Sequence, residues 1–143
     1  MKTAFVDTLY WIAVVIPGDT WKEAASQAKV KLGNVRLVTT DEVLTEFLNS
    51  LAKYGEHLRK IAIQMVQAIL NNPNVKVLPQ TRDSFLQGMN LYGNRQDKEY
   101  SLTDCISMNA MRADNINDVL TNDHHFAQEG FNVLIAKDDN DAG

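Results

Sequence analysis

The 143-residue chain predicts an α/β fold built on a parallel sheet. Three observations carry that expectation. Short apolar runs (TAFV, VRLV, VKVL, VLT and VLIA) alternate with segments of helical periodicity. Breakers separate them: Pro17-Gly18, Gly33-Asn34 and Asn71-Asn72-Pro73. Acidic residues follow the first and fourth runs, which places them on the rim where such sheets bind ligands.

Thr3 to Val6 reads as the first strand. The stretch after Asp7, LYWIAVVIP, is apolar and ends at Pro17-Gly18. Asp19 or Thr20 caps a helix running to about Leu32, with Trp21, Ala24, Ala25, Ala28 and Leu32 on one face. Val35 to Val38 is the second strand. Thr39, Thr40 or Asp41 then caps a helix from about Glu42 to Lys53, whose stripe is Val43, Leu44, Phe47, Leu48 and Leu51. After Gly55 a second amphipathic helix carries Leu58, Ile61, Ala62, Met65, Val66, Ile69 and Leu70. Val75 to Leu78 is the third strand. Thr81 to Tyr92 is a helix with Phe85, Leu86, Met89 and Tyr92 facing inward. Gly93 to Tyr100 is a polar loop. Ser101 to Arg112 is a helix apolar almost all round, hence buried. Val119 to Thr121 and Val133 to Ala136 complete the strands. Residues 1–138 form a single domain, and the acidic tail, 139–143, reads as frayed.

Composition bounds the function. Hydrophobic residues make up 45% and charged residues 22%, as in a soluble globular domain. No apolar run is long enough to span a membrane. The opening MKTAFVDTLYWIAVVIPGD has the apolar character of a secretory leader, but Asp7 interrupts it and no clear cleavage site follows. The single cysteine, Cys105, excludes an internal disulfide and fits a reducing cytoplasm. A net charge of −4 argues against a passive nucleic-acid coat, though not against an enzyme acting on nucleic acid. Lys22, Lys29, Lys31, Arg36, Lys53, Arg59, Lys60, Arg95 and Lys98 read mainly as solvated surface.

The informative residues are acidic: Asp7 in AFVDT, Glu46 in TTDEVLTEFLN, Asp104 in SLTDCIS and Asp123 in VLTNDHHF. Asp7 ends a buried run, as a metal ligand or as the cap of the next helix. Glu46 lies on the flank of its helix's apolar stripe and Glu42 almost opposite, so Glu46 is the better candidate to reach the rim, beside its reading as a surface residue. Ser101-x-x-Asp104 matches a capping box, which leaves a carboxylate at a helix N-terminus, available to a cation. Asp123 opens a turn, or closes a polar strand end with Thr121 and Asn122. Crowded carboxylates repel unless a hard cation lies between them, and an all-oxygen set selects Mg2+ or Mn2+. Such ions activate water and offset phosphodiester charge.

Other chemistries find less support. His124 and His125 are adjacent and Cys105 is the only thiol, a poor inventory for zinc or a cysteine nucleophile. Trp11, Trp21, Tyr54 and Tyr92 read as packing residues. No Walker-type loop, GxGxxG turn or serine triad is present. An aspartyl phosphotransferase would want a second aspartate two residues after Asp7, where Leu9 stands.

FVDT, TTDEVLTEFLN, SLTDCIS and VLTNDHHFAQEGF, in that order, resemble the acidic motifs of PIN-domain ribonucleases over nearly the whole chain. The resemblance implies a three-layer fold with five parallel strands, Mg2+ or Mn2+, and an RNA substrate. It places the family's four acidic positions on Asp7, Glu46, Asp104 and Asp123, with Thr8, Ser101 and Thr121 in support. Many small proteins of this kind are VapC-type toxins. Likeness to them implies a homodimer, formed through the helices between Asp41 and Leu70, and a VapB-type antitoxin that inserts a segment into the active-site groove. Two readings compete: a PIN nuclease that processes RNA without an antitoxin, and a non-catalytic α/β binding module.

Overall fold

The computed structural model describes residues 1–136; the frayed tail expected at 139–143 lies outside them. Among the described residues five parallel strands form one sheet: β1 (Lys2–Val6), β2 (Val35–Thr40), β3 (Val75–Leu78), β4 (Asp118–Leu120) and β5 (Asn132–Val133), in the order β3-β2-β1-β4-β5. Among the described residues the helices are α1 (Thr8–Val15), α2 (Lys22–Leu32), α3 (Asp41–Leu51), α4 (Glu56–Asn71), α5 (Arg82–Asn94), α6 (Leu102–Ala113) and α7 (His124–Gln128). A short 3-10 turn, Ala52–Tyr54, joins α3 to α4. Gly55 makes that junction with φ 90°, which a side chain would strain.

The central strands are continuous apolar runs because helices cover both faces. Ala4, Phe5 and Val6 of β1 are fully buried, as are Val119 and Leu120 beside them. Phe47 of α3, Met108 and Met111 of α6 and Phe126 of α7 close the core over the sheet. Thr39 is buried too, and its hydroxyl is used twice. It donates to the Val6 carbonyl at 2.9 Å and accepts from Trp11 Nε1 at 3.5 Å, tying the end of β1 to β2 and α1.

Chain order explains where a site can form. The chain winds outward from β1 through β2 to β3, then crosses back to place β4 on the other side of β1. Neighbouring connections therefore diverge between β1 and β4, opening a crevice at their carboxyl ends. Val6 pairs with Leu120 in register, so Asp7 and Thr121 leave the sheet side by side.

The structure corrects several expectations. The apolar run after Asp7 forms α1, ending two residues before Pro17. The next helix begins at Lys22, after a turn in which Asp19 Oδ1 accepts from the Trp21 amide. Strand ends shift by a few residues at β2, β4 and β5. Leu70 lies on the solvent side of α4, and Leu48 is partly exposed. On α5 the inward face is rotated by about one residue. Leu86, Met89 and Tyr92 are 51%, 49% and 57% exposed, while Gly88 is buried. Gly88 lets α6 approach so closely that an added Cβ would lie 2.5 Å from Ile106 Cγ1. That contact, rather than the longer side chains, sets the helix's rotation. Tyr54 and Tyr92 are accordingly surface residues, while Trp11 is core. No helix among the described residues is long and apolar enough to cross a membrane.

Gly88→Ala tests the helix contact. Overpacking here is expected to lower unfolding stability by about 1–3 kcal/mol in urea titrations.

Candidate active site

Asp7, Glu46, Asp104 and Asp123 line one cleft of about 570 Å³ at the carboxyl ends of β1 and β4. Asp19, Thr8, Thr121, Asn122, Trp21 and His124 line it too, and among the described residues no lysine or arginine does. Among the described residues the cleft thus carries five carboxylates.

Asp7 occupies the N-cap position of α1, but its side chain makes no capping hydrogen bond. Its Oδ2 instead accepts from Thr121 Oγ1 at 2.9 Å, across the β1–β4 seam. Its amide donates to the Leu120 carbonyl at 3.3 Å. Thr121 Oγ1 also accepts from the Asp123 amide at 3.2 Å, so one buried hydroxyl ties two acidic residues together. Burial pushes the Asp7 carboxyl up to about 7. The Thr8 amide and Thr121 hydroxyl oppose that rise, and the charges of Asp104 and Glu46 add to it.

Thr40 Oγ1 caps α3 by accepting from the Val43 amide at 3.1 Å. Three residues beyond Val43, Glu46 emerges on the flank of the buried face and receives a short hydrogen bond from Thr8 Oγ1. Glu42 does not join it. It faces grooves beside α5 and α6, with a buried Oε2 that has no hydrogen-bond partner.

Asp104 is the capping-box residue of α6: Ser101 Oγ accepts from its amide at 3.0 Å, and its Oδ2 accepts from the Ser101 amide at 3.1 Å. The same carboxylate also lines the cleft, so its capping role does not withdraw it from the site. Burial raises its pKa most. The Ser101 amide opposes that, the Asp123 charge adds to it, and His125 lowers it. Asp123 caps α7 through Oδ1, which accepts from the His125 amide at 2.9 Å.

Sequence reasoning missed three features. Asp19 reads locally as a helix cap, yet it also lines the cleft. His125 stands with Nδ1 3.1 Å from Asp123 Oδ1 and 3.4 Å from Asp104 Oδ2. Only its spacing from Asp123 could have flagged it. Glu129, after α7, is nearly buried and pairs with both Arg95 and Arg112 while accepting from Tyr100 at 3.2 Å. Burial alone would raise its pKa, but the two guanidinium groups hold it below the usual carboxylate range. Arg95 is therefore a structural partner rather than a surface cation. Cys105 is fully buried in the core, and burial pushes its thiol up to about 11, which suits neither a nucleophile nor a thiolate ligand.

The PIN domain family profile matches residues 4–132. Among solved structures, the chain is similar to VapC20 of Mycobacterium tuberculosis, described as a sarcin-ricin loop cleaving toxin. The TM-score is 0.82 at 25% identity, covering 93% of this chain and 99% of that one. A toxin–antitoxin complex from Klebsiella pneumoniae shares the fold at TM-score 0.59 and 16% identity, covering 85% of this chain and 87% of that one. No curated protein sequence matches.

The raised pKa of Asp7 makes a signed prediction. A carboxyl raised to about 7 favours folding fully below its unfolded value near 4, and that contribution is lost as pH rises through about 7. Stability of the wild type in EDTA should therefore fall between about pH 4 and 7 and then level off. Asp7→Asn should lack most of that fall and exceed wild type by up to about 4 kcal/mol above pH 7, as read from urea unfolding across pH.

Proposed function

The chain belongs to the PIN domain family, and from that premise we propose that it is a divalent-metal-dependent endoribonuclease, the toxin of a toxin–antitoxin pair. One observation carries the reading: carboxylates that follow β1, lie on α3 and α6 and cap α7, two of them buried (Asp7 and Asp104) and two half-buried (Glu46 and Asp123), converge on a single cleft that, among the described residues, no lysine or arginine lines. Like charges this close favour protonation or a shared cation.

The donor set fits Mg2+ or Mn2+, being composed of carboxylate oxygens with hydroxyl and amide groups around them. Asp7, Glu46 and Asp104 would hold the ion, with Asp123 completing the site directly or through water. A divalent ion held there supplies an activated water and offsets charge developing on the phosphodiester. The chain's own groups supply orientation. Thr121 fixes Asp7, Thr8 fixes Glu46, and the Ser101 amide fixes Asp104. Those bonds fall on Asp7 Oδ2, Glu46 Oε1 and Asp104 Oδ2. Asn122, also on the cleft wall, donates to the Ile135 carbonyl at 2.7 Å, which steadies the turn carrying Asp123.

Similarity to a toxin that cleaves the sarcin-ricin loop supports a structured RNA as substrate and a VapB-type antitoxin as partner. Homodimerisation through α3 and α4 is part of the same reading; α4 exposes Ile63 and Leu70.

RNA cleavage by purified protein tests the reading. Cleavage is expected in Mg2+ or Mn2+, absent in EDTA, and reduced at least about 100-fold by Asp7→Asn or Asp104→Asn, since each removes a group worth several kcal/mol to charge stabilisation. Metal-independent cleavage, equal in all three proteins, would contradict it.

A further inference from the structure

We infer that His125 supplies a nitrogen ligand at the Asp104–Asp123 end of the cleft and so biases the site toward Mn2+ over Mg2+. This rests on the metal-dependent reading above and names a feature of the same site. His125 Nδ1 is buried and makes no hydrogen bond, although it stands 3.1 Å from Asp123 Oδ1 and 3.4 Å from Asp104 Oδ2. Its near neighbours are carboxylate oxygens, the donors that would share a cation with it.

Packing holds it. The ring lies between Tyr100 and His124, with centroids 5.4 Å and 4.6 Å away, and its amide is fixed by Asp123 at the start of α7. The 3.1 Å between His125 Nδ1 and Asp123 Oδ1 matches adjacent ligands of one cation. Ligands about 2.1 Å from an ion at right angles lie about 3.0 Å from each other. Carboxylate oxygens of Asp123 and ring nitrogens of His124 and His125 also fall within 4.8 Å of one another, a spacing that can hold a metal ion. His124 is the exposed member at the rim, whereas His125 faces the carboxylates.

The donor type then decides selectivity. Mg2+ prefers oxygen and keeps its water, whereas Mn2+ accepts imidazole more readily and stands at the start of the series in which nitrogen donors gain affinity. Replacing one oxygen or water by imidazole therefore raises Mn2+ affinity more than Mg2+ affinity.

Electron paramagnetic resonance on the full-length protein tests this, with Mn2+ alone as the probe and Mg2+ as competitor. Bound Mn2+ in the wild type should show nitrogen spin-echo modulation and outcompete Mg2+ by about tenfold or more. His125→Ala and His125→Asn should each bind Mn2+ without the modulation and lose about tenfold in the Mn2+-to-Mg2+ preference. Wild-type protein that binds Mn2+ without nitrogen modulation, or modulation that persists in both variants, overturns the assignment while leaving the metal-dependent reading in place. Wild-type protein that binds neither ion overturns both.

Discussion

β1 and β4 end side by side, and the repulsion between the carboxylates that leave them there is what the rest of the site answers. Val6 and Leu120 are paired in register, so Asp7 and the Thr121–Asp123 turn emerge into the same crevice. Burial keeps water from screening Asp7, and Asp104 and Glu46 raise its pKa further. A sheet wound in one direction would have separated these residues; the crossing back to β4 brings them together. The apolar core that buries β1 on both faces supplies the stability against which this unfavourable cluster is maintained.

The polar groups around the cluster have distinct tasks. Thr39 fastens the end of β1 from below, and Thr121 joins Asp7 to the Asp123 backbone from the side. Ser101 sets Asp104 in the first turn of α6, where the helix dipole favours negative charge. Thr8, the first residue of α1, reaches across to α3 and selects the Glu46 rotamer. The Glu129 pairs with Arg95 and Arg112 lie behind α7 and hold the segment that carries His125 against α5 and α6. Lys22, Arg59, Lys60 and Lys98 bond to nearby carbonyls or carboxylates, consistent with their reading as local surface charges.

Much of this was legible in the sequence because its signals are local. Asp7 directly follows an apolar run, and Ser101-x-x-Asp104 is a short capping pattern. Glu46 could be chosen over Glu42 from its angle around one helix, and the cleft includes the first and not the second. What was illegible depends on distant partners. Glu129 meets residues 34 and 17 positions away, and His125 meets Asp104 across two elements. The face of α5 was misjudged because four large apolar residues outweighed one glycine in the pattern, whereas close approach to Ile106 needed the glycine. The run after Asp7 has no polar face to reveal a period, so only the structure distinguishes helix from strand there.

Anomalous diffraction from crystals grown with Mn2+ tests most directly whether the cluster exists to hold a cation. The account predicts a manganese peak in the cleft, about 2.0–2.2 Å from carboxylate oxygens of both Asp7 and Asp104. An ordered cleft with no peak, in crystals where manganese is bound elsewhere on the chain, would contradict it.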